Sequence, residues 1–180
     1  PSILVGDHLL VNRYIHRAEG AFPLMRPVGA GDVVVFRYPE ARQQVLVKRC
    51  VAVAGDRVEI RDKELLVNGA PAFTIRSVFR DPHTYPSSRF LEPPLRSRDN
   101  FGPVVVPPGE IFVLGDNRDR SLDSRSWGTV SLDLVLGSAR LVYWSKALST
   151  TSGAESAAGA AIRWQRIGQT AHKRGRIDQD

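Results

Sequence analysis

The feature that most constrains this chain is a series of short runs dense in β-branched, aliphatic and aromatic residues, with Gly, Pro, Asp or Asn at their ends. "DVVVFRYP", "VLVKRCVAV", "RVEI", "ELLVNG", "EIFVLG" and "SARLVYW" all have this form. Such side chains suit a pleated, half-buried backbone, and the residues between the runs suit tight turns. The "RDK" between "RVEI" and "ELLVNG" predicts a hairpin turn. Long helical periodicity is missing, although "SLDLVLGSA" has room for a turn or so of helix before the last strand. The chain is therefore predicted to be mainly β, with antiparallel sheets forming a sandwich or a partly closed barrel.

At 180 residues there is enough chain for one good-sized core, or a core with a small appendage. Residues 70–104 differ from the rest, being rich in Pro, Arg and Ser with few strand-like runs. A structureless loop of that length inside a core would be unusual. Residues 58–104 are therefore read as a small inserted β-hairpin or cap subdomain, and residues 1–57 with 105–145 as the core. Residues 146–160 have the small, polar composition of a linker, and 146–180 as a whole form a small-residue linker with a basic C-terminal segment.

The formal charge is +6. Residues 146–180 hold 6 Lys/Arg against 3 Asp/Glu, leaving 19 against 16 in residues 1–145. With the excess concentrated in the tail and the body nearly balanced, a nucleic-acid partner is not expected; a solvated, membrane-facing terminus fits better. A single cysteine, Cys50, excludes an internal disulfide. His8, His16, His83 and His172 are scattered, so no metal site is expected. No phosphate-binding or dinucleotide glycine pattern is present.

Lysine is scarce, with 4 against 21 Arg, and Lys48 lies inside the most apolar run. Strand alternation puts Leu46, Lys48 and Cys50 on one face and Val47, Arg49 and Val51 on the other. Taken alone, the strand favours an edge lysine whose amine reaches water. The competing reading is a buried amine whose pKa falls toward neutrality and which then acts as a general base toward a serine hydroxyl. A second stretch, "VLGDNRDRSLDSRSWG", turns the balance toward the base. It crowds Asp116, Asn117, Arg118, Asp119, Arg120, Ser121, Asp123, Ser124 and Arg125 into one loop. Alternating acids and arginines at that density predict a locked network of charge-assisted hydrogen bonds, able to hold a hydroxyl against a buried amine.

"GDNRDRSLDSRSWG", "VKRCVAVAGD", "GDVVVFRYP" and "PSILVGDHLLVNR" resemble, in order, the successive boxes of bacterial type I signal peptidases, and "IRWQRIGQTAH" resembles that family's C-terminal segment. The resemblance implies a signal-peptidase-like fold and a Ser/Lys-dyad serine endopeptidase, which removes N-terminal signal peptides from exported preproteins after Ala-x-Ala-like sites. Lys48 falls on the general base, Ser121 on the hydroxyl that orients the lysine, and Asp123 with Arg125 on a supporting ion pair. Gly115 falls where a small residue leaves room beside the lysine. Ile3, Leu46 and Val47 fall on shallow substrate-binding pockets for small side chains. In the family's Ser-Met-x-Pro stretch the proline matches Pro1, so the nucleophile is expected three residues ahead of Pro1 and Ser2 is not the nucleophile. The chain as given is then expected to be inactive.

The resemblance also implies a membrane-spanning anchor ahead of the serine and a catalytic domain on the extracytoplasmic side of the bacterial cytoplasmic membrane. The partners implied are preprotein signal peptides and the lipid surface. A monomer without metal or organic cofactor is expected. Three departures from the family pattern, at Ala30, Ala52 and Ala54, predict a looser turn after the Lys48 strand. Cys50 shares a face with Lys48, but two residues along a strand span about 7 Å, so core packing is its expected role. The alternatives are another Ser/Lys-clan peptidase, or a catalytically inert membrane-surface or basic nucleic-acid-binding β module.

Overall fold

Each of the six apolar runs becomes strand, and ten strands are present among the described residues, which are 3–13, 27–72, 77–92, 95–147 and 161–171 of the computed structural model. Expectations that fall on Pro1, Ser2, His16, His172 and the linker beyond Ala147 lie outside these residues. The strands are β1 (Asp7–Asn12), β2 (Val33–Tyr38), β3 (Ala41–Val53), β4 (Arg57–Arg61), β5 (Glu64–Val67), β6 (Ala70–Pro71), β7 (Phe101–Val105), β8 (Glu110–Leu114), β9 (Val130–Ser131) and β10 (Val135–Ser145). One short helix, α1 (Ser124–Trp127), precedes β9, and a 3-10 turn over Leu132–Leu134 is the helical turn expected before the last strand.

Two antiparallel sheets result. The larger runs β1-β10-β2-β3-β8-β9 and the smaller β6-β5-β4-β7. Both are open: the outer strands of each sheet do not pair with one another, so neither closes into a barrel. The β4–β5 hairpin turns at Asp62 and Lys63, both at positive φ, with Arg61 paired to Glu64. That is the backbone a two-residue hairpin loop requires, since its twist matches that of the flanking strands. Asn68 and Gly69 turn β5 into β6 in the same left-handed region. No helix of the described residues is long and apolar enough to cross a membrane.

Alternation along β8 divides the core. Phe112 and Leu114 face the smaller sheet and pack with Val51, Ala52, Val58, Ile60, Leu65 and Val106. Ile111 and Val113 face the other way, with Val34, Phe36, Cys50, Val130 and Val135. A register shift between Cys50 and Ala52 explains why both Val51 and Ala52 reach the layer between the sheets. The turn after β3 is tied down rather than loose: the Val53 N–H donates to the Asp56 carboxylate at 2.9 Å, and the Gly55 N–H donates to the Val106 carbonyl at 2.9 Å. Cys50 is fully buried, its Sγ lies 3.4 Å from the Ala52 carbonyl, and burial pushes its thiol up to about 12. It is a packing residue.

The segment beyond residue 160 returns to the larger sheet. Ala171 is buried against Val33, Val35 and Ala139, and Gly168 and Ala171 donate backbone hydrogen bonds to Val142 and Arg140 of β10.

Phe112 is fully buried between the two sheets, with its ring 5.4 Å from that of Phe101. Phe112→Ala is expected to cost about 3–5 kcal/mol in urea unfolding. A loss below about 1 kcal/mol would contradict a packed apolar layer between the two sheets.

Candidate active site

β3 and β8 are neighbours, with Arg49 opposite Leu114, so Lys48 and Gly115 meet where the two strands part. Beyond Gly115 the chain leaves the sheet and folds back through a 3-10 turn at Arg118–Arg120 into α1. This return brings Ser121 against the lysine: Lys48 Nζ lies 2.9 Å from Ser121 Oγ. The hydroxyl is in turn a hydrogen-bond partner of the Asp123 carboxylate. A carboxylate can only accept, so Ser121 directs its proton to Asp123 and offers its oxygen to the amine.

Asp123 is completely buried and fully committed. Arg125 grips it with both prongs, Nε to Oδ1 at 2.9 Å and Nη2 to Oδ2 at 2.9 Å, and the Gly115 N–H donates to it at 3.0 Å. Burial alone would raise the Asp123 pKa, but Arg125 and these donors outweigh it and hold the carboxyl below its ordinary value. The other Arg125 donors reach the carbonyls of Arg98 and Arg118 at 2.7 and 2.8 Å. One guanidinium thereby anchors three stretches of chain. Ser124, also buried, accepts from the Val113 N–H at 3.0 Å and ties α1 to β8.

Gly115 is required by space, not by backbone conformation. A Cβ there would lie 2.1 Å from Ser121 Oγ, 2.6 Å from Ser121 Cβ and 3.6 Å from Lys48 Nζ. Any side chain at this position would push Ser121 off the amine.

Lys48 is partly buried, and its pKa falls because burial penalises the ammonium. The Asp123 charge opposes that shift and Arg125 adds to it. The amine opens onto a cleft of about 320 Å³ walled by Ile3, Leu4 and Val47, with Arg49, Gly115 and Ser121 on its polar side. Of the three residues expected to bind substrate, Ile3 and Val47 line this cleft. Leu46 does not; it packs against the core cluster that holds Val34 and Phe36.

Sequence reasoning named Arg49 only as a neighbour on the strand. Its guanidinium holds Asp116 with Nε at 2.8 Å and Nη2 at 3.0 Å, and donates to the Gly31 carbonyl at 2.8 Å. The pair joins the residues directly after Lys48 and Gly115, so it pins the two segments beside the lysine. The segment after residue 76 is also drawn in. Val78 pairs with Asn117, and the Arg80 and Asp81 N–H groups donate to Asp119. Only the density of acids and arginines in the loop signalled these partners, which lie between 38 and 67 residues apart. Among the described residues no cluster of three or more His, Cys, Asp or Glu is arranged to hold a metal.

Two outcomes are expected. In protein labelled at the lysine ε-carbon, Lys48 titrates below the ordinary lysine value when followed by NMR; a midpoint at or above that value would contradict a buried amine. Gly115→Ala costs about 1–3 kcal/mol in urea unfolding through overpacking. Unchanged stability would mean that Ser121 has room to move.

Against known proteins, the family described as signal peptidase, peptidase S26, matches residues 1–144. The chain is 33% identical over 185 residues to signal peptidase I of Mycobacterium tuberculosis, covering 79% of this chain and 59% of that protein. It is 31% identical over 154 residues to thylakoidal processing peptidase 1, chloroplastic, of Arabidopsis thaliana, covering 80% of this chain and 38% of that protein. A crystal structure of a signal peptidase I from Enterococcus faecalis is 29% identical with a TM-score of 0.46, covering 63% of this chain and 97% of that one. The chain spans three-fifths or less of the length of these two curated relatives. The match over residues 1–144 encloses both segments that meet at Lys48, and the chain belongs to the signal peptidase family, peptidase S26.

Proposed function

We propose that this protein is the catalytic part of a type I signal peptidase, a serine endopeptidase in which Lys48 is the general base. The observation that carries this reading is the 2.9 Å contact of Lys48 Nζ with Ser121 Oγ at the edge of an open cleft. A neutral amine has two N–H bonds and one lone pair. With Ser121 accepting from one N–H, the lone pair is left to take a proton in the cleft. Burial favours that neutral form. In the resemblance described above, the hydroxyl that loses its proton stands three residues ahead of Pro1. It attacks the peptide carbonyl; the Lys48 ammonium gives the proton to the leaving amine as the C–N bond breaks, and water then hydrolyses the acyl-enzyme with the neutral Lys48 again as base. The serine's backbone N–H and a nearby upstream hydroxyl stabilise the oxyanion. No metal or organic cofactor enters this chemistry.

The proposed substrate is an exported preprotein, bound extended against the lysine strand, with small residues such as Ala one and three positions before the cut. β3 pairs with β8 only from Arg49 to Val53, so residues 42–47 offer a strand edge that leads to Lys48. An extended peptide adds to such an edge through main-chain hydrogen bonds. The shallow apolar wall of Ile3 and Val47 suits methyl-sized side chains. The proposed setting is the extracytoplasmic face of a bacterial membrane, with a membrane anchor ahead of the catalytic part, the smaller sheet as a cap on the core, and a monomeric protein.

A second reading follows from the same contact, with Ser121 itself as nucleophile. Its low exposure and its commitment to both Lys48 and Asp123 count against it. The two readings separate cleanly. The chain from Pro1 onward is expected to cleave nothing, and turnover by it would favour Ser121. In the full-length protein, Lys48→Ala is expected to lower kcat/KM for a preprotein by about 10³-fold or more while circular dichroism is unchanged. Retained cleavage in that variant would overturn the dyad.

A further inference from the structure

The Asp7 carboxylate, at the start of β1, is the best-held acid outside the lysine network, and the chemistry above does not use it. Its side chain is fully covered. Arg166 donates to it through Nε at 3.0 and 3.1 Å and through Nη2 at 2.5 Å. The Ser145 hydroxyl donates to it at 2.6 Å, and the Leu4 N–H donates at 2.8 Å. Arg163, one turn earlier, donates to Ser145 Oγ at 2.9 Å and to the carbonyls of Val5 and Lys146 at 2.6 and 3.0 Å. Gly6 sits within this cluster at φ 91°, where a Cβ would lie 2.0 Å from the Lys146 carbonyl oxygen. The clustered groups thus come from the turn Leu4–Asp7, the end of β10 and the segment at 163–166. Burial alone would raise the Asp7 pKa, but Arg166 and Ser145 hold it below its ordinary value, so the clamp is ionic at neutral pH.

The turn so clamped is the one that carries Ile3, Leu4 and Val5 along the cleft. From this we infer that Arg163 and Arg166 are positioning residues for substrate, with the C-terminal segment setting the apolar wall of the cleft through Asp7. The inference rests on the peptidase reading and adds a part to it. Asp7, Ser145, Arg163 and Arg166 share no hydrogen bond with Lys48, Ser121, Asp123 or Arg125 among those described. Loosening the clamp therefore moves the wall and spares the base. A wall that touches substrate in the ground state and transition state alike acts on KM, whereas the base acts on kcat.

The test uses the full-length protein and a fluorescent peptide with Ala at one and three positions before the scissile bond. Arg166→Ala and Arg163→Ala are each expected to raise KM by about tenfold with kcat held within about twofold. Arg166→Lys, which keeps the charge and loses the two-pronged fork, is expected to fall between them and wild type. Hydrogen exchange of the segment at residues 3–7 accelerates in the alanine variants, while exchange around Lys48 and Ser121 does not. Equal KM in all variants, or kcat falling with exchange rising everywhere, would overturn the inference and leave a purely structural tie. Should the wild-type protein cleave no peptide, the peptidase reading fails on its own. The peptide's Kd then replaces KM as the readout, with the same tenfold rise expected and an unchanged Kd overturning the positioning role.

Discussion

The buried carboxylate of Asp123 is the interaction on which the rest of the site depends. An acceptor with no access to water must be met by donors, and it is met by Arg125, the Gly115 amide and the Ser121 hydroxyl. Since the carboxylate accepts the Ser121 O–H hydrogen bond, the serine oxygen is left to accept from the lysine, and the whole chain of hydrogen bonds has one direction. The same charge favours the ammonium of Lys48, yet burial and the Arg125 cation prevail and the amine's pKa falls. Base strength here is a balance of nearby charges, with burial the largest contribution.

The sheets serve this balance by holding two segments together that the chain itself keeps far apart. Lys48 and Ser121 are 73 residues apart in sequence. β3 and β8 bring their segments side by side, and Phe112 and Leu114 bolt β8 to the smaller sheet. Past Gly115 the β3–β8 ladder ends, and the loop is held by the backbone bridge of Val78 to Asn117 and by ion pairs. Arg49 with Asp116 closes one side of the lysine and Arg125 with Asp123 the other. Removing one partner of such a buried pair leaves the other charged and unpaired, at a cost of about 3–5 kcal/mol. A network of this kind keeps its geometry only while it is complete.

Much of the architecture was legible from local pattern. The six apolar runs, the Asp62–Lys63 turn and the density of charge between Gly115 and Gly128 each rest on neighbours in sequence. β1, β6, β7 and β9 were not among those runs: Phe101–Val105 contains Gly and Pro, and Ala70–Pro71 and Val130–Ser131 are too short to have a period. The Arg49–Asp116 pair and the Asp7–Arg166 clamp join residues 67 and 159 positions apart, and an arginine gives no local sign of its partner. Leu46 and Val47 were both placed at the cleft by resemblance, and strand alternation, which puts Leu46 on the Lys48 face, did not signal that Val47 lines the cleft while Leu46 packs into the core.

The measurement that bears most directly on the account is the pH dependence of kcat/KM for a peptide with small residues before the cut, in the full-length protein. If neutral Lys48 is the base, activity rises with pH through one ionisation. Its midpoint lies below the ordinary lysine value and coincides with the Lys48 titration seen by NMR. An acid limb that follows some other group, or activity that persists unchanged where Lys48 is fully protonated, would contradict a lysine base.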